Sequence, residues 1–216
     1  MAAKSDLVEK MAKIIEILRR EYGSVRTILR LEDPLRTLIS TILSAQCTDK
    51  KVYAVTTDLF KRYRTIQDYA KADLKELQKI IRPTGLYRNK AKNIKRAAQI
   101  IIENFKSKVP TSMEGLLSLP GVGRKTANIV LSHSFGIDEG IAVDTHVKRI
   151  SKRLGLTSSS NPEKIEKDLM AIIPREDWGS INHLFITLGR KICGAKNPYC
   201  DKCPIIDLCP SALRKG

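Results

Sequence analysis

Four of the five cysteines lie close together near the carboxyl end of the chain, at Cys193, Cys200, Cys203 and Cys209. Their spacing, C-x6-C-x2-C-x5-C, places four thiolates within seventeen residues. Such a group can surround a tetrahedral zinc ion or a cubane iron–sulfur cluster. Structural zinc usually draws on two close pairs, and this run has one, so the spacing favours the iron–sulfur cluster. Because no ligand position stays open, we predict a structural role, and we expect Cys47 to be an inert buried thiol.

A second motif, LPGVGRKTAN at 119–128, combines two glycines with basic residues. Gly121 and Gly123 flank Val122 and let the backbone turn through positive φ, which exposes N–H groups at a helix N-terminus that can bind phosphate. The apolar residues before the turn and the small Ala127 after it predict two closely packed helices. We therefore predict a helix-hairpin-helix over about 114–135. A bare Gly-x-Gly is more often an ordinary helix corner, so the prediction depends on the whole pattern.

Two ionisable residues near this motif have types that suit covalent chemistry. Lys125 falls in the first turn of the second hairpin helix, and a neutral lysine amine attacks electrophilic carbon to form an imine. Asp144 precedes the segment THVKRI, where it can cap a helix and also stabilise positive charge or accept a proton. The plainer alternatives stay open. An early-helix lysine ordinarily contacts phosphate, for which Arg124 is the better type, and an aspartate at a helix start is ordinarily a cap.

The composition indicates a polyanionic partner. The 216 residues include 39 Lys and Arg against 23 Asp and Glu, a formal charge of +16. Nucleic acid is the commonest partner of so basic a protein, with simple solubility as the alternative. No apolar run approaches the ~18 residues of a membrane span, and MAAKSDLVEK resembles neither a secretory signal nor a transit peptide. We expect a cytoplasmic, nucleoid-associated monomer without membrane contact, whose clustered cysteines bind metal because the compartment is reducing.

The elements that would position these residues are helices throughout. Apolar residues recur every three or four positions and no stretch keeps the alternation of a strand, so we predict an all-α protein of roughly ten short helices. Capping and breaking residues mark helix ends, among them Asp33 before Pro34, Thr111 with Glu114, and Gly136. One helix, over 87–105, has a basic face opposite its alanines, and such a face is usually solvated. The members of that face are Arg88, Lys90, Lys92, Lys95 and Arg96.

These motifs occur in a specific order. LPGVGRKTAN is followed by AVDTH at 142–146 and by the cysteine run, and it is preceded by LSAQCTD at 43–49 and GLYRNKA at 85–91. With them the sequence closely resembles the endonuclease III family of helix-hairpin-helix DNA glycosylases, over almost the whole chain. The resemblance implies removal of oxidised pyrimidines from DNA and cleavage of the strand 3′ to the abasic site. The implied partner is double-stranded DNA with damaged pyrimidines or abasic sites.

By position, the resemblance implies that Lys125 is the nucleophile and Asp144 its carboxylate partner. Gln46 and Leu86 would fill the gap left by the everted nucleotide, and His146 would line the lesion pocket. The other DNA-binding positions, in the lesion pocket and the hairpin, would be Ser44, Asp49, Gly121, Val122, Gly123 and Arg124. The four cysteines would hold a structural 4Fe-4S cluster, and a monovalent cation at the hairpin is a further expectation.

The resemblance also implies a two-domain helix-hairpin-helix DNA glycosylase fold. A helical barrel domain over 27–137 would carry the hairpin and Lys125. An iron–sulfur cluster domain, formed by 1–26 and 138–216, would carry Asp144, and DNA would lie across both.

The implied chemistry explains why these residue types are needed. A base inside a duplex is out of reach at its sugar carbon, so the nucleotide is rotated out at a cost of a few kcal/mol. A side chain wedged into the vacancy offsets part of this cost. The lysine then attacks C1′, expels the base and forms an imine, which permits β-elimination of the 3′ phosphate. On sequence alone, Leu86 is ordinarily a core anchor and Gln46 a solvated residue at a helix end.

Two alternative functions fit part of the sequence. A mismatch thymine or uracil DNA glycosylase of the same superfamily would only remove a base, and Lys125 argues against a purely monofunctional mechanism. A non-catalytic helix-hairpin-helix DNA-binding protein would explain the charge and the glycines. It would not explain Lys125, Asp144 and the four cysteines together.

Overall fold

The computed structural model describes residues 2–23 and 33–212, and these form helices joined by short loops. The α-helices are α1 (Ala2–Tyr22), α2 (Pro34–Ser44), α3 (Asp49–Arg62), α4 (Ile66–Lys71), α5 (Leu74–Ile81), α6 (Tyr87–Asn104), α7 (Met113–Leu117), α8 (Arg124–Phe135), α9 (Thr145–Arg153), α10 (Pro162–Met170) and α11 (Trp178–Lys191). Short 3-10 turns lie at Arg82–Thr84, Arg175–Asp177, Cys200–Lys202 and Ile206–Leu208. These residues contain no strand, so the predicted all-α class is confirmed. Nor do they contain a helix with the length and apolarity that crossing a bilayer requires.

The chain folds as two compact units. The hairpin unit is Leu31–Ile137, and the cysteine unit combines Met1–Arg30 with Asp138–Gly216. The structure describes 33–137 of the hairpin unit, and 2–23 with 138–212 of the cysteine unit. The domain boundary expected between residues 26 and 27 lies outside the described residues.

Helix α6 is the central element of the hairpin unit. It packs against α4 and α5, while α2 packs against α8. Ala91, Ala97 and Ala98 on its inner face are at most 1% exposed, and such small side chains let neighbouring helices approach closely. Large aliphatic side chains from the other helices, such as Leu43 and Leu59, complete the core. Each contributes about 1.5–3 kcal/mol through burial.

The cysteine unit has a separate apolar core. In α1, Met11, Ile14 and Leu18 are fully buried, as the helical spacing of its apolar residues predicts. This helix packs against α11, which also packs against α9. Leu184 and Phe185 of α11 are fully buried in the same core. Helix α11 therefore connects the amino-terminal helix to the helix that follows Asp144.

Most helix ends follow the predicted capping residues. The Asp33 side chain accepts the backbone N–H of Arg36 at 2.9 Å, and Pro34 begins α2. The prediction for α7 is wrong in its capping residue: the cap is Ser112, whose hydroxyl accepts the N–H of Gly115 at 3.1 Å. Because α7 begins at Met113, Thr111 lies too early to cap it.

The sequence predicted a solvated basic face on α6. In the structure, one lysine of this face is buried. Lys90 is only 4% exposed, and its Nζ donates hydrogen bonds of 2.8 Å to the backbone oxygens of Leu43 and Thr84. Lys95, half-buried, donates a bond of 2.8 Å to the oxygen of Ala72. The solvated-face interpretation is therefore wrong for Lys90, because backbone acceptors at two loops take up its ammonium group.

Candidate active site

The predicted hairpin is present as α7, a tight turn and α8. Gly121 has φ of 81°, and a Cβ there would lie 2.8 Å from Nδ2 of Asn93 on α6. Both the dihedral angle and the close approach therefore require glycine. Gly123 differs from the expectation: its φ is −99°, and a Cβ there would meet nothing within 4 Å. Only one of the two glycines is needed for positive φ.

Gly123 is the N-cap of α8, and as a glycine it has no side chain with which to cap the helix. No side chain caps this helix. The first N–H groups of an α-helix lack partners within the helix, so an uncapped N-terminus can bind an anion. Val122, 7% exposed, anchors the turn in the core, and Ala127 at 0% exposure lets the helices pack closely. The hairpin thus offers main-chain donors on a firmly packed support.

The predicted nucleophile and a neighbouring arginine occupy the first turn of α8. Arg124 is the first residue of this helix and is half-buried, whereas Lys125 is exposed. An exposed amine beside an uncapped helix N-terminus can reach a substrate whose phosphate binds to the same N–H groups.

Asp144 caps α9, as predicted. Its Oδ1 accepts the N–H groups of His146 and Val147, both at 2.8 Å. Both bonds use Oδ1, so the cap does not require Oδ2. The preceding residues are fixed as well, because Ala142 is buried and its oxygen accepts a 2.8 Å hydrogen bond from Nδ2 of Asn182 on α11. Capping and catalysis are therefore compatible roles for this carboxylate.

His146 is held by groups that sequence reasoning did not identify. Its Nδ1 lies 3.1 Å from Nη2 of Arg149. A guanidinium only donates, so Nδ1 accepts and the ring carries its proton on Nε2. A Cβ at Gly189 would collide with Nδ1 of His146 and lie 2.8 Å from Nη2 of Arg149. Gly189 therefore makes room for the imidazole, and no motif in the sequence indicated this.

Arg149 also connects α9 to the cysteine run. Its Nε and Nη2 donate to the backbone oxygen of Cys193 at 3.2 and 3.0 Å. One turn later, Nη1 of Arg153 lies 3.1 Å from the sulfur of Cys193 and 2.7 Å from the oxygen of Gly194. Both arginines lie on the helix that Asp144 caps, so one short helix positions the carboxylate, the imidazole and the first cysteine.

All four predicted metal ligands line one cavity of about 230 Å³. Within the described part of the chain, no three ligand-type side chains are grouped closely enough to hold a single metal ion. Thiols spread around a cavity fit a polynuclear cluster better than one zinc ion, whose ligands lie ~2.3 Å from the metal. Burial raises the pKa of the Cys203 and Cys209 thiols, so a bound metal would have to stabilise their thiolates.

The two predicted wedge residues are exposed and have unusual backbone conformations. Gln46 lies between α2 and α3 with φ of 53°. Leu86 is the N-cap of α6 with φ of 47°, directly after Gly85 with φ of 68°. The Leu86 side chain is 57% exposed, so its interpretation as a core anchor is wrong. Cys47, beside Gln46, is half-buried rather than fully buried.

Two further residues predicted to line the lesion pocket, Ser44 and Asp49, lie next to the loop that contains Gln46. Ser44 is half-buried and ends α2, where its hydroxyl donates a 2.8 Å bond to the oxygen of Thr41. Asp49 is exposed and begins α3. Ser44, Gln46 and Asp49 therefore lie on one loop and its two flanking helix ends.

The structure groups the candidate residues into sets within each unit. In the hairpin unit, Lys90 of α6 bonds to the last turn of α2, just before the Gln46 loop (45–48), and to the Leu86 turn (82–86). Asn93 of the same helix lies against the hairpin at Gly121. Sequence reasoning missed Lys90, although a signal was present. Lys90 precedes Ile94 by four residues and Ala97 by seven, the spacing of the buried face.

The chain is similar throughout its length to proteins of one family. Residues 39–175 match the family model of the HhH-GPD superfamily of base excision DNA repair proteins. Endonuclease III of Synechocystis sp. is 48% identical, and the match covers 96% of this chain and 98% of that protein. Endonuclease III of Bacillus subtilis is 47% identical over 85% of this chain and 84% of its own length.

Solved structures show the same fold. A trapped covalent endonuclease III–DNA intermediate superposes with a TM-score of 0.88 at 42% identity, covering 95% of this chain and 96% of that one. A thermostable thymine-DNA glycosylase superposes with a TM-score of 0.85 at 24% identity, a likeness that shows the fold alone. The chain therefore belongs to the HhH-GPD superfamily of base excision DNA repair proteins and, within it, to the endonuclease III family.

Proposed function

We infer that the chain is a DNA N-glycosylase and AP lyase of base excision repair, which removes oxidised pyrimidines and cleaves the strand 3′ to the abasic site. The observation that carries this function is the exposed amine of Lys125 in the first turn of α8, beside the uncapped N-terminus at Gly123. A relative at 42% identity was solved as a covalent intermediate with DNA. We assign the corresponding bond in this chain to Lys125.

The reaction proceeds in two stages at one sugar, base removal and strand cleavage, after which the enzyme is released. The Lys125 amine attacks C1′, the new N–C bond forms as the glycosidic bond breaks, and the base leaves with the bonding electrons and gains a proton. The sugar ring then opens to an imine, which acidifies C2′. Loss of a C2′ proton expels the 3′ phosphate by β-elimination. Water finally releases the lysine.

Asp144 acts at the same nucleotide. Positive charge grows at the sugar as the base departs, and a nearby carboxylate stabilises it. A carboxylate can also accept a proton that the reaction releases. The N-cap bonds to His146 and Val147 hold the carboxylate through Oδ1, so its direction is set before substrate binds.

The hairpin holds the DNA backbone. The N–H groups of the first turn of α8, which no side chain caps, and the Arg124 guanidinium receive a phosphate. Gly121 and Gly123 carry no side chain that would obstruct the phosphate. Oxygens of the turn around Val122 would hold the expected monovalent cation, which adds positive charge next to the phosphate.

Eversion of the nucleotide depends on the exposed loops. Leu86 inserts into the vacancy as an apolar wedge, and Gln46 forms hydrogen bonds with the orphaned base. His146, Ser44 and Asp49 contact the everted pyrimidine. Their side chains supply both hydrogen-bond donors and acceptors, as recognition of an oxidised pyrimidine edge requires.

Cys193, Cys200, Cys203 and Cys209 would hold a structural 4Fe-4S cluster, which would cross-link segments with little secondary structure of their own. Two features support this assignment: the four cysteines line one cavity, and Arg153 reaches the sulfur of Cys193. A hydrogen bond to a cluster sulfur is a common device for tuning such a centre.

The chemical structure of the ends of the cleaved DNA strand tests the proposed function. On a duplex with one oxidised pyrimidine, the chain should leave the unsaturated sugar that β-elimination produces. Lys125→Ala and the charge-preserving Lys125→Arg should both lose this product, whereas Lys79→Ala, at an exposed lysine of the same unit, should retain it. Base release without strand cleavage by the unaltered protein would instead support a mismatch glycosylase.

A further inference from the structure

Lys90 is a buried cation to which the reaction described above gives no role. It is 4% exposed, and burial lowers its pKa, while the nearby Cys47 thiol opposes that shift. Its Nζ donates two hydrogen bonds of 2.8 Å, one to the oxygen of Leu43 and one to that of Thr84. A buried ammonium is costly to desolvate, so these bonds fix it firmly in place.

The two acceptors lie shortly before the two wedge residues in the chain. Leu43 lies in the last turn of α2, three residues before Gln46. Carbonyls in the last turn of a helix lack intrahelical partners. The loop bonds here use other oxygens: Ala45 N donates to Ile42 O and Cys47 N to Ser44 O. The Lys90 ammonium provides a donor to the oxygen between them.

The second hydrogen bond, to the oxygen of Thr84, holds the Leu86 turn in the same way. Thr84 ends the 3-10 turn, two residues before Leu86, and is itself 1% exposed. The backbone N–H of Lys90 also donates to the Leu86 oxygen at 3.1 Å. One residue therefore holds the turn through its side chain and through its backbone.

Both wedge residues need such support, because left-handed backbone is unfavourable for residues with a side chain. Gln46 has φ of 53° and Leu86 has φ of 47°. Such conformations persist when the surrounding structure over-determines them. Both side chains are exposed, so their own packing does not fix the loops.

We propose that Lys90 is a positioning residue that holds the Gln46 loop and the Leu86 turn in one fixed arrangement, so that both side chains enter the duplex together. The inference rests on the proposed function, since it gives these side chains the task of replacing an everted nucleotide. Fixing them in advance reduces the entropy lost when DNA binds. The ammonium acts only through the two loops and does not contact substrate.

Lys90→Met tests the proposal, because methionine keeps much of the apolar stem and removes the donors. Lys95→Met is the matched control: Lys95 lies on the same helix and donates to the oxygen of Ala72, away from both wedge loops. Two substrates are compared: a duplex with one 5,6-dihydrothymine and a single-stranded oligonucleotide with one abasic site. We expect kcat/KM on the duplex to fall about tenfold or more in Lys90→Met. Cleavage of the single strand should stay within about twofold, as should both activities of Lys95→Met.

A spectroscopic measurement separates positioning from a general loss of structure. A duplex with 2-aminopurine beside a stable abasic analogue becomes more fluorescent when the neighbouring stack opens. Lys90→Met at saturating protein should give a smaller increase than the unaltered chain, with an unchanged helical circular dichroism spectrum. If Lys90→Met does not fold, Lys90→Gln, whose shorter amide still donates, replaces it, and a smaller loss of the same sign is expected.

The outcomes distinguish this inference from the proposed function. Equal losses on duplex and single strand in a folded Lys90 variant, or no loss on the duplex, overturn the positioning role. Leu86→Ala combined with Lys90→Met should lose less than the product of the two separate losses, because both act on one step. A fully multiplicative loss also overturns it. If Lys125→Ala retains strand cleavage, the proposed function fails, whatever Lys90 does.

Discussion

Asp144 shows how one side chain serves both the fold and the reaction. Its Oδ1 accepts two N–H groups at the start of α9, and a cap of this kind contributes about 1 kcal/mol. Asparagine caps a helix about as well as aspartate, whereas alanine does not. The stabilising role therefore needs an oxygen, and the catalytic role needs a charge.

Substitution at Asp144 separates these roles. Asp144→Asn should leave the melting temperature nearly unchanged and greatly reduce strand cleavage. Asp144→Ala should reduce cleavage as much and lower the free energy of unfolding by about 1 kcal/mol in addition. Thermal denaturation and a cleavage assay on the same preparations check this. Near-full cleavage by a folded Asp144→Asn protein would assign the carboxylate to capping alone.

Gly189 is required for packing rather than for backbone freedom, since a Cβ there would collide with His146 and approach Arg149. We expect Gly189→Ala to lower the free energy of unfolding by about 1–3 kcal/mol, as overpacking does. The comparison is Gly123→Ala: a Cβ at Gly123 meets nothing within 4 Å and its φ is negative, so only the poorer capping by alanine, about 1 kcal/mol or less, applies there. Denaturant unfolding of both variants measures the difference, and equal stability would show that the imidazole moves aside freely.

At the scale of elements, α6 and α9 each organise one group of functional residues. Helix α6 supports the Gln46 loop, the Leu86 turn and, at Asn93, the hairpin. Helix α9 follows Asp144, and Arg149 and Arg153 on it bind the segment at Cys193. In both cases one helix, of 18 residues in α6 and 9 in α9, fixes the segments next to it.

Because Leu86 is exposed at the start of α6, its substitution should impair activity on duplex DNA without reducing stability. Leu86→Ala removes an exposed side chain, so stability should change by less than about 0.5 kcal/mol. Processing of a damaged duplex should nevertheless decline more than cleavage of a single-stranded abasic oligonucleotide, because only the duplex has a vacancy to fill. Rates on the two substrates are compared, and equal losses would refute the wedge.

The cysteine run leads to a prediction about metal content. Chain purified without oxygen should contain about four iron and four sulfide per molecule and absorb visible light. Removing the cluster with a chelator and an oxidant should destabilise the unit to which the cysteines belong. Stoichiometric zinc without sulfide would contradict the assignment and restore the alternative that the spacing left open.

At the scale of the whole molecule, a formal charge of +16 suits a partner with a phosphate backbone. Association with DNA releases counterions, so affinity should fall by orders of magnitude between about 50 and 200 mM salt. Undamaged and damaged duplexes should lose affinity with similar slopes, because phosphate contacts carry no lesion preference. Titrations at several salt concentrations check this, and a flat dependence would contradict it.

Local patterns predicted the helices, most caps and the hairpin, because apolar spacing and capping chemistry are properties of neighbouring residues. They did not predict the fit of Lys90, Asn182 or Gly189, because each has a partner 40 or more positions away in the sequence. Lys90 was assigned to a solvated face because lysine is usually exposed, although its spacing matches the buried face of the helix. Long-range acceptors such as Leu43 O become visible only when the helices are packed.

The most direct test of the account is to trap the bond at Lys125. The chain is mixed with a duplex that carries an abasic site in the presence of borohydride, and the adduct is digested and mapped by mass spectrometry. We predict one reduced adduct, on the peptide that contains Lys125, and none in Lys125→Ala. An adduct on another residue, or strand cleavage at full rate by Lys125→Ala, would contradict the account.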